Sequence, residues 1–238
     1  MISQNLNDRQ LEAVQAIGKP ILIFAGAGSG KTRVLTYKIV HLIEEIGLPP
    51  ENILAVTFTN KAAGEMKARV QKLSKSNIDN VSIGTFHSIC ARVLRREIKL
   101  LDYTSDFAIY DQSDSRSIIK NVINSLNLDL KKFDVRSINS YISNAKNMMY
   151  SPSYMLSIAE NYLDDKRAQV FSQYQDLLKE NNAVDFDDLI LLTLRLFTDF
   201  PERLAYYQSE YKYILVDEYQ DTNKPQFEFI YNLSKKHR

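Results

Sequence analysis

Glycine is scarce in this chain, with seven in 238 residues, so helices and strands have few built-in interruptions. Cysteine is scarcer still. Cys90 is alone, which excludes an intrachain disulfide and favours a cytosolic setting. Excess charge is nearly absent as well. A net charge of +1 provides no global basic field, so a nucleic-acid partner would need a local surface. The longest apolar run, "LILLTLRLF" at 189–197, is too short for a bilayer and carries Arg195. The start, "MISQNLNDRQ", lacks the basic-then-apolar pattern of a secretory signal. These absences predict a soluble cytoplasmic protein with no membrane partner. The 45% hydrophobic content is enough, at this length, for one large domain or two modest ones.

The apolar residues that are present fall into alternating periods. "PILIFA" reads as a buried strand, and "TRVLTYKIVHLIEEI" as a helix stopped by Gly47 and Pro49-Pro50. "NILAVTF" reads as a second strand, followed by the helix "NKAAGEMKARVQKL" with Asn60 as its expected cap. "VSIGTF" and "HSICARVLRREIKLL" repeat the alternation, and strands alternating with helices predict a parallel α/β sheet. Between 111 and 182 the pattern is helical, with no strand expected beyond "FAIY". Asp111 and Asp114 are expected to cap the first of these helices. "YKYILVDE" then returns to the strand pattern, and "KPQFEFIYNLSKKHR", with Pro225 near its first turn, closes the chain as a helix. An α/β domain split by a helical insertion is the expected architecture.

Three of the seven glycines stand within five positions, in "AGAGSGKT" at 25–32. A strand running into a glycine-rich turn and then a helix makes a nest of backbone N–H groups, uncrowded by side chains. The helix N-terminus adds roughly half a positive charge. In the usual phosphate-loop pattern, G-x-x-x-x-G-K-[ST], the lysine reaches the β- and γ-phosphates and the hydroxyl ligates Mg²⁺. Gly30, Lys31 and Thr32 fit it, while Ala25 stands at the first position, a mild departure because alanine is nearly as small. Far downstream, "VDEYQDTN" puts Asp217 and Glu218 at the end of an apolar run. Adjacent carboxylates there suit a metal-holding acid beside a water-orienting base. The alternatives at this point are a chance glycine turn and an acidic surface turn.

At these residues the chain resembles the UvrD/Rep/PcrA family of superfamily 1A DNA helicases, over its whole length but only over the front third of a family member. "TFTNKAAGEMKAR", "GTFHS", "DFDDL" at 185–189 and "LNDRQ" match in the family's order. The resemblance implies a P-loop NTPase (RecA-like) motor domain from 1–108 and 185–238, and an all-helical insertion subdomain at 109–184. It implies ATP and Mg²⁺ as ligands. Ala25, Gly26, Ala27, Gly28, Ser29, Gly30, Lys31, Thr32 and Arg33 would hold the nucleotide. Gln10 would read the adenine, Thr32 and Asp217 would serve the metal, and Glu218 with Lys31 would carry the chemistry. Phe58, Thr59, Asn60, Lys61, Thr85 and His87 would meet single-stranded DNA. The bland alternatives are a surface amide for Gln10, a helix-surface charge for Arg33, solvated helix charges for Lys61 and Arg69, and core aromatics for Phe58 and His87. Phe86 and Cys90 read as core residues, and Tyr206, Tyr207, Tyr211 and Tyr213 as packing for the returning strand and its preceding helix. For Asp185, Asp187 and Asp188, capping stands beside a structural role near the DNA channel.

The implied activity is ATP-driven 3′-to-5′ translocation and unwinding, acting on single strands and single/double-strand junctions with the remaining helicase domains of a full-length chain. The alternatives are a P-loop NTPase without a nucleic-acid role and a non-enzymatic truncated module. In the family's sheet, a strand following "KKHR" lies between the phosphate-loop strand and "YILVD". The sheet is therefore expected to be incomplete at the C-terminus, with 21–25 and 214–217 flanking a gap, and the polypeptide by itself inactive as a helicase.

Overall fold

The computed structural model describes residues 6–26 and 28–237. In chain order the principal elements are α1 (Asp8–Gln15), α2 (Lys31–Glu44), β1 (Ile53–Thr57), α3 (Asn60–Leu73), β2 (Ser82–Thr85), α4 (Phe86–Glu97), β3 (Ala108–Ile109), α5 (Gln112–Ser125), α6 (Val135–Asn147), α7 (Pro152–Ser157), α8 (Tyr162–Glu180), β4 (Ala183–Val184), α9 (Phe186–Asp199), α10 (Pro201–Glu210), β5 (Tyr213–Val216) and α11 (Lys224–Ser234). They form two compact units. The first holds the described residues up to Ile89, Pro201–Thr222 and those from Ile230 on; the second holds Cys90–Phe200 and Asn223–Phe229. No helix among the described residues is long and apolar enough to cross a membrane.

The first unit is built on a three-stranded parallel sheet in the order β2-β1-β5. All five residues of β1 are buried, as a central parallel strand covered on both faces requires. Its partners are level with it. Val56 is opposite both Gly84 and Val216, and Thr57 is opposite Thr85. Ile39, Leu42 and Ile43 of α2, Met66 and Val70 of α3, and Ile53, Ala55 and Leu215 of the sheet share one core. Tyr207 and Tyr211 are buried with their rings stacked 6.3 Å apart, Tyr213 is half-buried, and Phe86 is buried as expected. Tyr206 departs from the expectation and is exposed, although its ring meets the edge of Tyr207.

Two other expectations are corrected here. Residues 20–26 form no strand. A strand exists by its ladder, and among the described residues neither this segment nor the outer edge of β5 has a partner. The alternation survives in the packing: Ile23 joins the cluster of Val14, Val34 and Tyr37, while Leu22 and Phe24 face solvent, Phe24 at 89% exposure. The cap of α3 is Thr59, not Asn60. The Thr59 hydroxyl accepts from the Ala62 N–H, and Asn60 is the first helical residue.

The second unit is helical apart from β3 and β4, a two-residue parallel pair joining Ala108 to Ala183 and Ile109 to Val184. β4 lies at the end of the 109–184 stretch expected to be all helical. Its side of the pairing is set by a partner some 75 residues away, which local periodicity does not contain. Asp111 and Asp114 form a reciprocal cap on α5, as expected. Cys90 is fully buried, and burial pushes its thiol up to about 12, against the hydrogen bond with Thr193. The unit's core joins Ile119, Val122 and Ile123 of α5, Ile138 and Ile142 of α6, and Val170, Phe171 and Tyr174 of α8.

That core also contains charge. Lys146 is 2% exposed, and its ammonium donates to Asp185 Oδ2 at 2.6 Å and Asp188 Oδ1 at 2.8 Å. Tyr174 donates to Asp185, and Gln175 to both oxygens of Asp188. Asp185 also caps α9 through the Asp188 N–H. Burial opposes ionisation of Asp185, but the charge and hydrogen bond of Lys146 outweigh it and hold that carboxyl below the ordinary range. Burial, aided by the charge of Asp185, pushes Asp188 up to about 6, against the pull of Lys146. Removing the shared cation leaves two buried carboxylates without it, so Lys146→Met is expected to destabilise the protein by about 3–5 kcal/mol. Chemical denaturation measures this, and a loss below about 1 kcal/mol would mean that the cluster relaxes into water.

Candidate functional site

The carboxyl ends of three adjacent parallel strands lie level in the first unit, and the sequence-marked residues follow directly after them. Phe58 to Lys61 follow β1, Phe86 and His87 follow Thr85 of β2, and Asp217 and Glu218 follow β5. Ligands of open parallel α/β sheets collect at this edge, because it is where the strands hand over to loops. Asp217 is aligned by the sheet itself, since its N–H donates to the Val56 carbonyl at 2.9 Å and extends the ladder past Val216. The two acids thus stand just beyond the strand, not within it.

The glycine turn leads into α2. Gly28 has φ +76° and Gly30 has φ +89°, conformations that a side chain strains. A Cβ on Gly26 or Gly28 would project into open space, the space that a ligand over the turn would need. At Gly30 a Cβ would come 2.8 Å from Nε2 of Gln10. The Gln10 amide reaches across from α1 and donates to the Ser29 carbonyl at 2.9 Å, while its oxygen accepts from the Asn7 N–H. Ala27 lies outside the described residues.

Lys31 and Thr32 open α2, where the first N–H groups of a helix have no acceptor within it. The Lys31 ammonium donates to the Ala25 carbonyl at 3.1 Å and lies 3.9 Å from Glu218 Oε2. The Thr32 hydroxyl donates to Asp217 Oδ2 at 3.3 Å, joining positions 185 residues apart. Asp217 is buried. Burial and the adjacent Glu218 charge raise its pKa, against the hydrogen bond from Thr32. A buried carboxylate pushed toward its neutral form, beside a hydroxyl, is a site that a hard cation would relieve. One carboxylate with one hydroxyl suits Mg²⁺, which keeps most of its shell for water and phosphate. Among the described residues no group of three His, Cys, Asp or Glu forms a metal cage, so the protein would supply only part of that shell. Glu218 is partly exposed, takes a left-handed φ of +49° and accepts from Gln220. A non-glycine residue held in that conformation marks a turn shaped to aim its side chain. Arg33 is exposed on the first turn of α2.

The turn after β1 and the first residue of α4 are joined by an edge-to-face contact between Phe58 and Phe86, with ring centroids 5.7 Å apart. Phe86 is buried beneath and Phe58 is half-buried above, so part of one ring faces outward. Thr59 and Asn60 are exposed next to it, as is Lys61, while His87 is partly exposed and Thr85 is buried. Thr85 uses its hydroxyl to accept from the Ser88 N–H at the start of α4. The sequence reading does not anticipate Thr57, whose buried hydroxyl donates to the Thr59 carbonyl and shapes this turn, nor Lys38, described below. Both would be visible only as polar residues in apolar runs.

The UvrD/REP helicase N-terminal domain family model matches residues 6–238. The chain belongs to that family. It is 47% identical to the ATP-dependent DNA helicase PcrA of Bacillus subtilis (strain 168) over 231 residues, 97% of this chain and 31% of that protein. It is equally similar, at 47%, to the PcrA proteins of Staphylococcus aureus (strain Mu50) and Staphylococcus epidermidis, with 98% of this chain and 32% of each relative covered. The chain therefore spans about a third of the length of these relatives and matches their N-terminal part. Its three-stranded parallel sheet, open at β5, is an incomplete RecA-like helicase sheet.

The family's glycine turn makes a specific demand on residue 30. Gly30→Ala is expected to cost about 1–2 kcal/mol in the left-handed region alone, and more through displacement of the Gln10 amide. Thermal denaturation of the Gly30→Ala and Gly26→Ala proteins checks this. Gly26, with open space and no positive φ, should tolerate the methyl in the absence of ligand, and equal losses at both positions would contradict the account.

Proposed function

We propose that this chain is the nucleotide- and single-stranded-DNA-handling part of an ATP-dependent 3′-to-5′ DNA helicase, working in the cytoplasm on single strands and junctions. The observation that carries the reading is the Thr32–Asp217 contact, flanked by Lys31 and Glu218, at the carboxyl edge of the sheet. Residues 25–33 hold the triphosphate in this reading. Thr32 and Asp217 hold Mg²⁺, which supplies charge neutralisation on the phosphates. Lys31 exchanges its Ala25 carbonyl for phosphate oxygens, and Glu218 orients and deprotonates the attacking water. Gln10 has one amide N–H and one carbonyl lone pair uncommitted among the described residues, a donor–acceptor pair complementary to the adenine edge. The motor domain comprises 1–108 and 185–238, and 109–184 is its helical insertion. The open β5 edge and the exposed Phe24 support joint action with the remaining helicase domains of a full-length protein, without which we expect no unwinding.

In full-length protein, Lys31→Ala is expected to abolish most ATP hydrolysis. Glu218→Gln is expected to keep nucleotide affinity and lose turnover by at least about a hundredfold, the scale of a positioned general base. Equilibrium nucleotide binding beside steady-state hydrolysis separates the two. Equal loss of binding and turnover in Glu218→Gln would reassign that acid to the metal or to the fold.

For DNA, the outward part of the Phe58 ring is the stacking surface, with Thr59, Asn60, Lys61, Thr85 and His87 around it. Stacking of one base is worth roughly 1–3 kcal/mol, so Phe58→Ala should weaken oligo-dT binding about fivefold or more. Affinity unchanged in a titration at fixed salt would remove Phe58 from the interface.

A further inference from the structure

α1 is eight residues long, and only Val14 of it is buried. So short a helix has little stability of its own, and its apolar contacts are few: Val14, with Ala13 and the preceding Leu6 partly buried against the same cluster. Two polar ties supplement Val14. At the N-terminal end, Gln10 is held by the Asn7 capping box and by its bond to Ser29 in the glycine turn. At the C-terminal end the main tie is Lys38, beside a longer 3.5 Å bond from the Tyr213 hydroxyl to the Ala16 carbonyl.

Lys38 lies two turns into α2, the helix that begins with Lys31 and Thr32. Its side chain is 3% exposed. The ammonium donates to the Val14 carbonyl at 2.7 Å and makes a shorter contact with the Ala16 carbonyl. Those oxygens belong to the end of α1, where carbonyls lack helical partners and the dipole favours a cation. The ammonium is also 5.5 Å from the centre of the Tyr213 ring on β5. Among the described residues no carboxylate pairs with it, and burial lowers its pKa to about 8. A buried lysine held by two carbonyls and an aromatic face, with no carboxylate, is a costly way to fill space, since methionine or leucine would pack there without desolvating a charge. What the ammonium provides, and an apolar side chain cannot, is a directional hold on the last carbonyls of α1.

We propose that Lys38 is a positioning residue for base selection: by clamping the C-terminal end of α1 to α2, it fixes the Gln10 amide relative to the glycine turn. This rests on the reading of Gln10 as the adenine-facing amide. Gln10 and Ala16 are six residues apart, about 9 Å along the helix axis, so a small tilt at the clamped end is passed to the amide. Lys31 and Thr32 open α2, and Thr32 is tied to Asp217 at the end of β5, so these phosphate- and metal-facing groups do not depend on the clamp. Lys38 therefore separates base selection from phosphate binding.

The test uses equilibrium displacement of a fluorescent ATP analogue by ATP or GTP from full-length protein, with Lys38→Met, Gln10→Ala and the double variant. Lys38→Met is expected to lower the ATP-over-GTP affinity ratio about fivefold, the equivalent of one well-made hydrogen bond, while GTP affinity stays at the parental value. In the Gln10→Ala background the same change should leave the ratio where Gln10→Ala alone put it, because Lys38 acts through that amide. A ratio lost in Gln10→Ala but kept in Lys38→Met overturns the role of Lys38 and leaves the base reading intact. A ratio kept in Gln10→Ala overturns the base reading itself. Equal weakening of ATP and GTP in Lys38→Met would make the lysine a purely structural clamp and also overturn the proposal. If Lys38→Met fails to fold, Lys38→Gln, which retains a donor for one carbonyl, should show a smaller loss of the same ratio, and an unchanged ratio counts against the inference.

Discussion

The parallel pairing of β1 with β2 on one side and β5 on the other is the constraint from which the site follows. It sets Val56 opposite both Gly84 and Val216, so three strands from distant parts of the sequence stop at one level. A one-residue slip of β5 would turn every side chain of the strand to the opposite face and carry Asp217 away from Thr32. The Thr32–Asp217 contact, 185 residues apart in sequence, is thus a consequence of ladder register rather than of local turn chemistry. The same register places Phe58, after β1, beside Phe86, at the start of α4, which lets one ring support the other.

Much of this was legible in the sequence, and the legible part is local. The glycine turn could be read from its spacing because Gly28 and Gly30 occupy conformations with positive φ, a requirement that restricts residue type directly. Helices α2 and α3 could be read from periodicity. The caps on α5 and α9 follow from acids three residues apart, Asp111 with Asp114 and Asp185 with Asp188. What could not be read depends on a distant partner. Residues 21–25 have the composition of a strand, but strand formation is decided by a neighbour's backbone, and the described residues supply none. β4 is the converse, a two-residue strand with no composition signal and a partner some 75 residues upstream.

Buried lysines expose the same limit from another side. Lys146 and Lys38 sit within helices whose patterns assign most lysines to solvent, and both are nearly inaccessible. In one case the compensation is two carboxylates and in the other two carbonyls at a helix end. Pattern arguments treat a charge as evidence of an exposed face, which holds until a fold supplies enough oxygen acceptors in one place. The aspartates at 185 and 188 stand in a legible motif, whereas their partner on α6 carries no such mark. Nothing in the residues around Lys146 distinguishes it from a solvated helix charge.

The two lysines also differ in what their burial can accomplish. Lys146 neutralises carboxylates, so its contribution is measured against the cost of leaving them charged and dry, and its loss is expected to appear as instability. Lys38 has no anion to neutralise. Val14 and Ala16 would keep their carbonyls with or without it, and α1 would still cap itself at Asn7. The cost of desolvating it offsets much of what its hydrogen bonds contribute, and those directional bonds act on orientation more than on folding free energy. The glycine turn binds Gln10 at one end of α1 and α2 binds the other through Lys38, so this small exposed helix has its amide fixed by ties that do not pass through the hydrophobic core. A helix held in this way can keep a recognition group aligned with the turn while only Val14 and its partly buried neighbour Ala13 answer to the core.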